Sequence, residues 1–143
     1  MKNSVTKSNR INEAEELHWE STTWKSQFLH MEDELLFIER LLNSYVFEPN
    51  TPNLFERLMD YKSRIKEVCQ RKDEVVNTLS EHESQLGGML ERDDRFCDQV
   101  YFGKHDEIKS EVKECLGDFQ NLKTEIFNYA GSILRKHKPD KKV

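Results

Sequence analysis

The first apolar pattern along the chain is a seam of positions that alternate four and three residues apart. Only one member is polar, and the seam consists of Leu17, Ser21, Trp24, Phe28, Met31, Leu35, Ile38, Leu42 and Tyr45. Heptad spacing of this kind places one stripe on one face of an α-helix that packs against other helices. We predict a helix from about residue 10 to residue 46, about 55 Å long, with Asn12 and Glu15 spaced as a capping box at its start.

A second seam follows a segment that contains two prolines. Residues 47–53 read FEPNTPN, and Thr51 before Pro52 has the order of an N-cap followed by proline at the first helical position. The seam beyond it has two polar members and consists of Leu54, Leu58, Tyr61, Ile65, Val68, Lys72, Val75, Leu79, His82, Leu86 and Met89. The pattern predicts a turn at residues 47–53 and a second long helix after it.

A third seam begins at a histidine and consists of His105, Ile108, Val112, Cys115, Phe119, Leu122, Ile126, Tyr129 and Ile133. Its phase differs from that of the second seam, so a break lies somewhere in residues 87–103. The glycines of this stretch are candidate helix breakers, whereas Asp93 and Asp94 are candidate caps of a new helix. We place the turn at residues 88–95, which gives three helices of similar length.

Three long helices joined by short turns pack antiparallel, and each contacts both others if its apolar face is wider than its seam. The flanking positions supply that width, namely Leu41, Val46, Phe55, Cys69, Val76, Leu116 and Ala130. The predicted fold is all-α: an elongated antiparallel three-helix bundle, coiled-coil-like, with heptad seams. Residues 10–137 form its single domain, residues 1–9 a flexible basic N-terminus and residues 138–143 a flexible basic tail.

Composition and charge support this organisation and restrict the partners. Charged residues make up 34% of the chain, and five glycines and three prolines leave little material for turns. Residues 1–10 carry three basic and no acidic residues, and residues 135–143 carry five basic residues and one acidic residue, so the segment between them has a net charge of −12 in a chain of −5. An acidic body repels phosphate backbones and anionic membranes, so binding to a nucleic acid or a membrane would have to rest on the basic ends alone. We expect no membrane partner and do not favour a nucleic acid.

The cysteines indicate a reducing compartment. Cys69, Cys97 and Cys115 are odd in number and contain no C-x-x-C spacing, and the N-terminus lacks the apolar stretch of a signal peptide. No run approaches the roughly 18 apolar residues that a membrane-spanning helix needs. We therefore expect a cytoplasmic protein.

The histidines raise the hypothesis of a metal site. Because helices one and two reverse near residue 50, His18 and His82 lie at one level, and a reversal near residue 92 brings His105 within about one helical turn of them. Glu15 precedes His18 by three residues and supplies a fourth potential ligand. A transition metal such as zinc bound by these four residues is the alternative function, although histidine at a seam position is more often an ordinary packed residue.

No motif of nucleophilic or phosphate chemistry is present in the sequence. It contains neither G-x-S-x-G nor a P-loop, and Gly87–Gly88 is followed by Met rather than by Lys and Ser or Thr. Lys72, in the second seam, is interpreted as an amine that reaches a neighbouring carboxylate. We expect no enzymatic activity and assign no catalytic residue.

Surplus apolar residues outside the seams point to an interface. Because helices one and three run parallel, several of these residues lie toward the FEPNTPN end, and an exposed apolar patch usually marks a binding surface. A core that is wider at this end explains the pattern equally well. We predict a non-enzymatic bundle that mediates self-association, as a homodimer, or binding to another protein. Its predicted interface residues are Leu29, Leu36, Phe37, Phe127, Leu134 and Trp19.

Overall fold

The computed structural model describes the backbone of residues 2–44, 47, 51–92 and 94–136, and the side chains within these ranges from residue 9 to residue 133. This part of the chain forms three helices, α1 (Lys2–Leu42), α2 (Leu54–Glu91) and α3 (Arg95–Lys136). Each is about 60 Å long at 1.5 Å per residue. Helix α2 packs against both α1 and α3, which approach each other less closely. The predicted antiparallel three-helix bundle is confirmed.

The core follows the three seams. Its fully or nearly buried apolar side chains from these seams are Trp24, Phe28, Met31, Leu35, Ile38, Leu42, Tyr61, Ile65, Val75, Leu79, Met89, Ile108, Val112, Cys115, Phe119, Leu122, Ile126 and Ile133. Among the predicted flanking residues Ala130 is buried, and Leu41, Cys69, Val76 and Leu116 pack against the core. Phe55 was expected to widen the core and is instead exposed, because α1 ends at Leu42, before the level of Phe55.

The polar members of the seams are accommodated in different ways. Ser21 is small and is buried among its neighbours. Lys72 is also buried, and its Nζ lies 2.7 Å from Glu32 Oε1 and 3.1 Å from Asp73 Oδ1. Burial opposes the charge of Lys72, but the hydrogen bonds to these two carboxylates outweigh it and raise the pKa of the amine. Lys72 therefore bridges α1 and α2 as a structural cation.

The first turn is capped differently from the prediction. Helix α2 begins at Leu54, after an Asn53 N-cap whose φ is 57°. The Leu54 N–H donates to the Thr51 carbonyl at 3.2 Å, whereas the Thr51 hydroxyl is buried without a hydrogen-bond partner among the described residues. The predicted Thr51 cap with Pro52 at the first helical position is wrong, because asparagine tolerates the left-handed conformation that turns the chain into the helix. Tyr45 and Val46 lie outside the described residues.

The start of α1 also differs from the prediction. The helix begins at Lys2 rather than near residue 10, so Asn12 and Glu15 lie inside it and form no capping box. No glycine or proline between residues 2 and 12 interrupts the helix. The predicted domain limits, with a flexible N-terminus and tail, stay predictions, and residues 137–143 lie outside the described part of the chain.

The second turn lies where the change of phase predicts it. Helix α2 ends at Glu91 and α3 begins at Arg95, within the predicted range 88–95. Asp94 Oδ1 accepts the backbone N–H of Phe96 at 2.9 Å, as expected of a cap. The candidate breakers Gly87, Gly88 and Gly103 all lie inside helices. Glycine within a helix costs only about 1 kcal/mol relative to alanine, so these glycines do not have to end a helix.

Arg10 of α1 holds the second turn together. Its guanidinium donates to the carbonyl oxygens of Met89 at 2.5 Å, Leu90 at 3.4 Å and Arg92, and it pairs with the Asp98 carboxylate at 2.8 and 2.9 Å. The last carbonyls of a helix have no donor within the helix, and a cation there also opposes the helix dipole. Through this side chain α1 connects the end of α2 to the first turn of α3.

Candidate functional site

Two of the three predicted histidines meet in the core between α2 and α3. His82 Nε2 lies 3.0 Å from His105 Nδ1, and both residues are 2% exposed. His18 is level with them but has a 65% exposed side chain, whose Nδ1 faces Glu83 Oε1 at 3.5 Å. Because His18 follows the seam residue Leu17 by one position, it is rotated by about 100° away from the core. The predicted convergence of three imidazoles is therefore wrong.

The carboxylate that reaches the pair is Glu20 of α1, whereas the predicted Glu15 is exposed. Glu20 Oε1 lies 3.2 Å from His105 Nε2, and Glu20 Oε2 lies 3.5 Å from Lys109 Nζ. A carboxylate only accepts, so His105 Nε2 donates to Glu20 Oε1. When the His105 ring is uncharged, its Nδ1 accepts from His82 Nε2. This order leaves His82 Nδ1 unprotonated, and that atom is buried without a hydrogen-bond partner in the described part of the chain.

Aromatic rings enclose the two imidazoles. The His82 ring stacks on Tyr101, with centroids 4.0 Å apart and planes 12° apart, and the His105 ring stacks on Trp24 at 4.9 Å. The Tyr101 hydroxyl donates to the backbone carbonyl of His82 at 3.0 Å. We call Glu20, Trp24, His82, Tyr101 and His105 the histidine layer, which joins all three helices.

The histidine layer favours uncharged forms of its buried groups. Burial is the main cause that lowers the pKa of His82 from 6.5 to about 4. His105 and Lys104 contribute to this decrease, and Glu83 opposes it. Burial also raises the pKa of the Tyr101 hydroxyl to about 12, and Glu83 adds to this effect. At neutral pH His82 and Tyr101 are therefore both neutral, as their packing inside the bundle requires.

The chemistry of the histidine layer is that of a hydrogen-bonded core. Among the described residues, no group of three or more His, Cys, Asp and Glu side chains is placed to hold a metal ion. Glu20 binds the nitrogen of His105 that faces away from His82, so the three side chains form a chain rather than surround one point. Zinc binding by Glu15, His18, His82 and His105 stays a prediction that this geometry does not favour.

The predicted interface residues lie on the outside of the bundle. Leu29, Leu36 and Phe37 of α1 are exposed, and Phe37 meets the partly exposed Phe127 of α3 edge to face, with centroids 6.3 Å apart. A wider core therefore does not account for these side chains. Trp19 is also exposed but lies about 27 Å from Phe37 along α1, so it is not part of the same surface. The side chain of Leu134 lies outside the described part of the chain.

Three members of the histidine layer were absent from the predicted site: Glu20, Trp24 and Tyr101. The heptad spacing had already placed Trp24 in the first seam. Tyr101 precedes His105 by four residues and extends the third seam backwards by one step, so the heptad spacing itself identifies it. Glu20 has the same position in the heptad as Glu13 and Glu34, and no sequence signal separates the three. Only the distance to His105 identifies Glu20 as the partner.

Comparison with protein-family models, with curated proteins and with solved structures finds no match for this chain. Within the part that the structure describes, none of the three helices has an apolar stretch that would cross a lipid bilayer. The fold and its surfaces therefore carry the functional argument: a three-helix bundle with a buried polar layer and apolar side chains on its outside.

Proposed function

We propose that the protein is a non-enzymatic helical bundle that forms a homodimer through the outside of α1. The observation that supports this most is the pair of adjacent apolar side chains Leu36 and Phe37, which are 54% and 59% exposed. Leu29 lies two turns before Leu36 on the same side, and Phe127 adjoins Phe37. We call these four residues the α1 face. Covering such side chains removes apolar surface from water, which favours association.

The charges around the α1 face are complementary in an antiparallel pairing of two copies. Asp33 and Arg40 are exposed, lie on the side of α1 opposite the seam, and are equidistant from the midpoint between Leu36 and Phe37. A two-fold axis through that midpoint places Asp33 of each copy opposite Arg40 of the second copy. Leu36 and Phe37 then meet their own counterparts near the axis. Ion pairs around an apolar centre are the usual anatomy of an interface, whereas a parallel pairing would oppose like charges.

The proposal assigns no catalytic role to the histidine layer. His82 and His105 are buried, and their hydrogen bonds and ring contacts are made within the bundle, which supports a structural interpretation. Cys69, Cys97 and Cys115 form no disulfide in the structure, which is compatible with the cytoplasmic location that we propose.

The α1 face is tested by removing its two central side chains. Leu36→Ser with Phe37→Ser should convert the dimer into a monomer at micromolar concentration, measured as mass by light scattering, with helix content unchanged by circular dichroism. Both side chains are largely exposed, so the fold should tolerate their loss. The control variant Phe55→Ser with Met59→Ser removes two exposed apolar side chains from α2 and should leave the mass unchanged.

A charge swap tests the antiparallel geometry. Asp33→Arg should weaken the dimer by about tenfold, because the new arginine of each copy then lies opposite Arg40 of the second copy. Asp33→Arg with Arg40→Asp restores opposite charges at both contacts and should restore the dimer. A wild-type chain that stays monomeric at micromolar concentration would contradict the proposal. A double swap that dimerises no better than Asp33→Arg would refute the pairing.

A further inference from the structure

A second unpartnered surface lies at the other end of the bundle. A groove of about 530 Å³ opens between α2 and α3 beside the second turn. Its lining includes the buried Met89 and Tyr101, and also Phe96 and Val100, which are 70% and 56% exposed. Gly88 on the α2 side has no side chain that could fill the groove, and the space beside it is open, because a Cβ built there would have no atom within 4 Å. A buried apolar floor beside exposed apolar side chains is typical of grooves that accept a helix.

The charge of this groove is opposite to that of the bundle body. Its charged lining residues are Arg92 and Lys104, both exposed, and no carboxylate among the described residues lines it. The nearest carboxylate paired with Lys104 is that of Glu107, at 4.0 Å. The body between the basic ends has a net charge of −12 by residue count. An apolar groove whose two described charges are cationic, on an acidic body, favours an anionic partner.

We infer that this groove binds an acidic amphipathic helix of another protein. Arg92 follows the last residue of α2 and Lys104 lies nine residues into α3, so the two cations are separated by roughly 12 Å along the bundle axis. Carboxylates seven or eight residues apart on a docked helix span about the same distance. On the docked helix, apolar residues three or four positions from each carboxylate lie on the same face as the carboxylates, where they cover Phe96 and Val100 of the groove.

Charge distinguishes this partner from occupants that the chain itself offers. A second copy that docked through the same groove would bring two cationic grooves together, which like-charge repulsion opposes. The chain's own ends have the same sign, with three basic residues in 1–10 and five in 135–143. The groove lies at the opposite end of the bundle from the α1 face, so the inference does not depend on dimerisation.

The experiment uses the full chain and a fluorescein-labelled synthetic helix of about 18 residues, with leucine on one face and glutamate beside it, read by fluorescence anisotropy. We expect micromolar binding that Arg92→Glu with Lys104→Glu weakens at least about tenfold. The control pair Lys66→Glu with Lys113→Glu makes the same change in net charge at exposed positions outside the groove. It should leave the affinity within about twofold.

A second variant tests the apolar part of the site. Phe96→Ser with Val100→Ser removes two exposed side chains, so it should fold normally and lose binding by about tenfold. Absence of binding by the acidic peptide, or equal weakening by the groove pair and the control pair, overturns the inference. Leu36→Ser with Phe37→Ser should bind the peptide as the wild type does, which separates this site from the α1 face.

Discussion

The histidine layer predicts a loss of stability as the pH falls from 6.5 to about 4. The pKa of His82 is about 4 in the folded chain and near its ordinary 6.5 in the unfolded chain. Between these values the unfolded chain binds a proton that the folded chain does not, so the free energy of unfolding decreases as the pH is lowered. The contribution of His82 is fully present above pH 6.5 and is lost by about pH 4.

The size of this loss follows from the pKa difference and has a structural reason. The pKa of His82 falls from 6.5 to about 4 on folding. At about 1.4 kcal/mol for each pKa unit, the loss of stability amounts to about 3 kcal/mol. A proton on His82 Nδ1 would create an N–H donor at an atom that is buried without a partner among the described residues. The charge of Lys104, and that of His105 in its protonated form, oppose the protonation of His82, whereas the charge of Glu83 favours it.

Urea unfolding followed by circular dichroism, at several pH values between 4 and 7, measures the effect. His82→Gln replaces the imidazole with an amide that keeps an N–H donor but does not titrate, so the variant should lack about 3 kcal/mol of the wild-type pH dependence. His18→Gln, which removes an exposed imidazole, is the control and should keep the full dependence. An equal pH dependence in His82→Gln and the wild type would refute the assignment of this proton to His82.

Two further predictions concern the second turn and the outside of α3. Arg10→Met should lower the free energy of unfolding by about 2 kcal/mol, because it leaves the last carbonyls of α2 and the Asp98 carboxylate without their cation. Arg95→Met, an exposed arginine at the same turn, should change it by less than about 0.5 kcal/mol, and equal losses in the two variants would argue against the Arg10 interaction. Gly117→Ala should raise the free energy of unfolding by about 1 kcal/mol and the melting temperature by about 4 °C, because a Cβ there meets nothing within 4 Å. A lower melting temperature would show that the outside of α3 is not open.

The heptad pattern alone determined most of the fold. The seam positions from Trp24 to Leu42 and from Ile108 to Ile126 are buried as predicted, and the change of phase after Met89 located the second turn. This worked because a repeat of 3.5 residues defines which side of a helix faces its neighbours, whatever those neighbours are. The cap of α2 was not predictable in this way, since Asn53 and Thr51 are both good capping residues.

The composition of the histidine layer was decided by the tertiary structure. Counting residues from the turns placed His18, His82 and His105 at one level correctly, but a site also requires each side chain to point to the same place. A step of one residue rotates a side chain by about 100° around the helix, so Glu20 reaches His105 while His18 faces outward to Glu83. The sequence determined the period and the level of each helix, whereas the contacts between particular side chains depended on how the three helices are offset and rotated against one another.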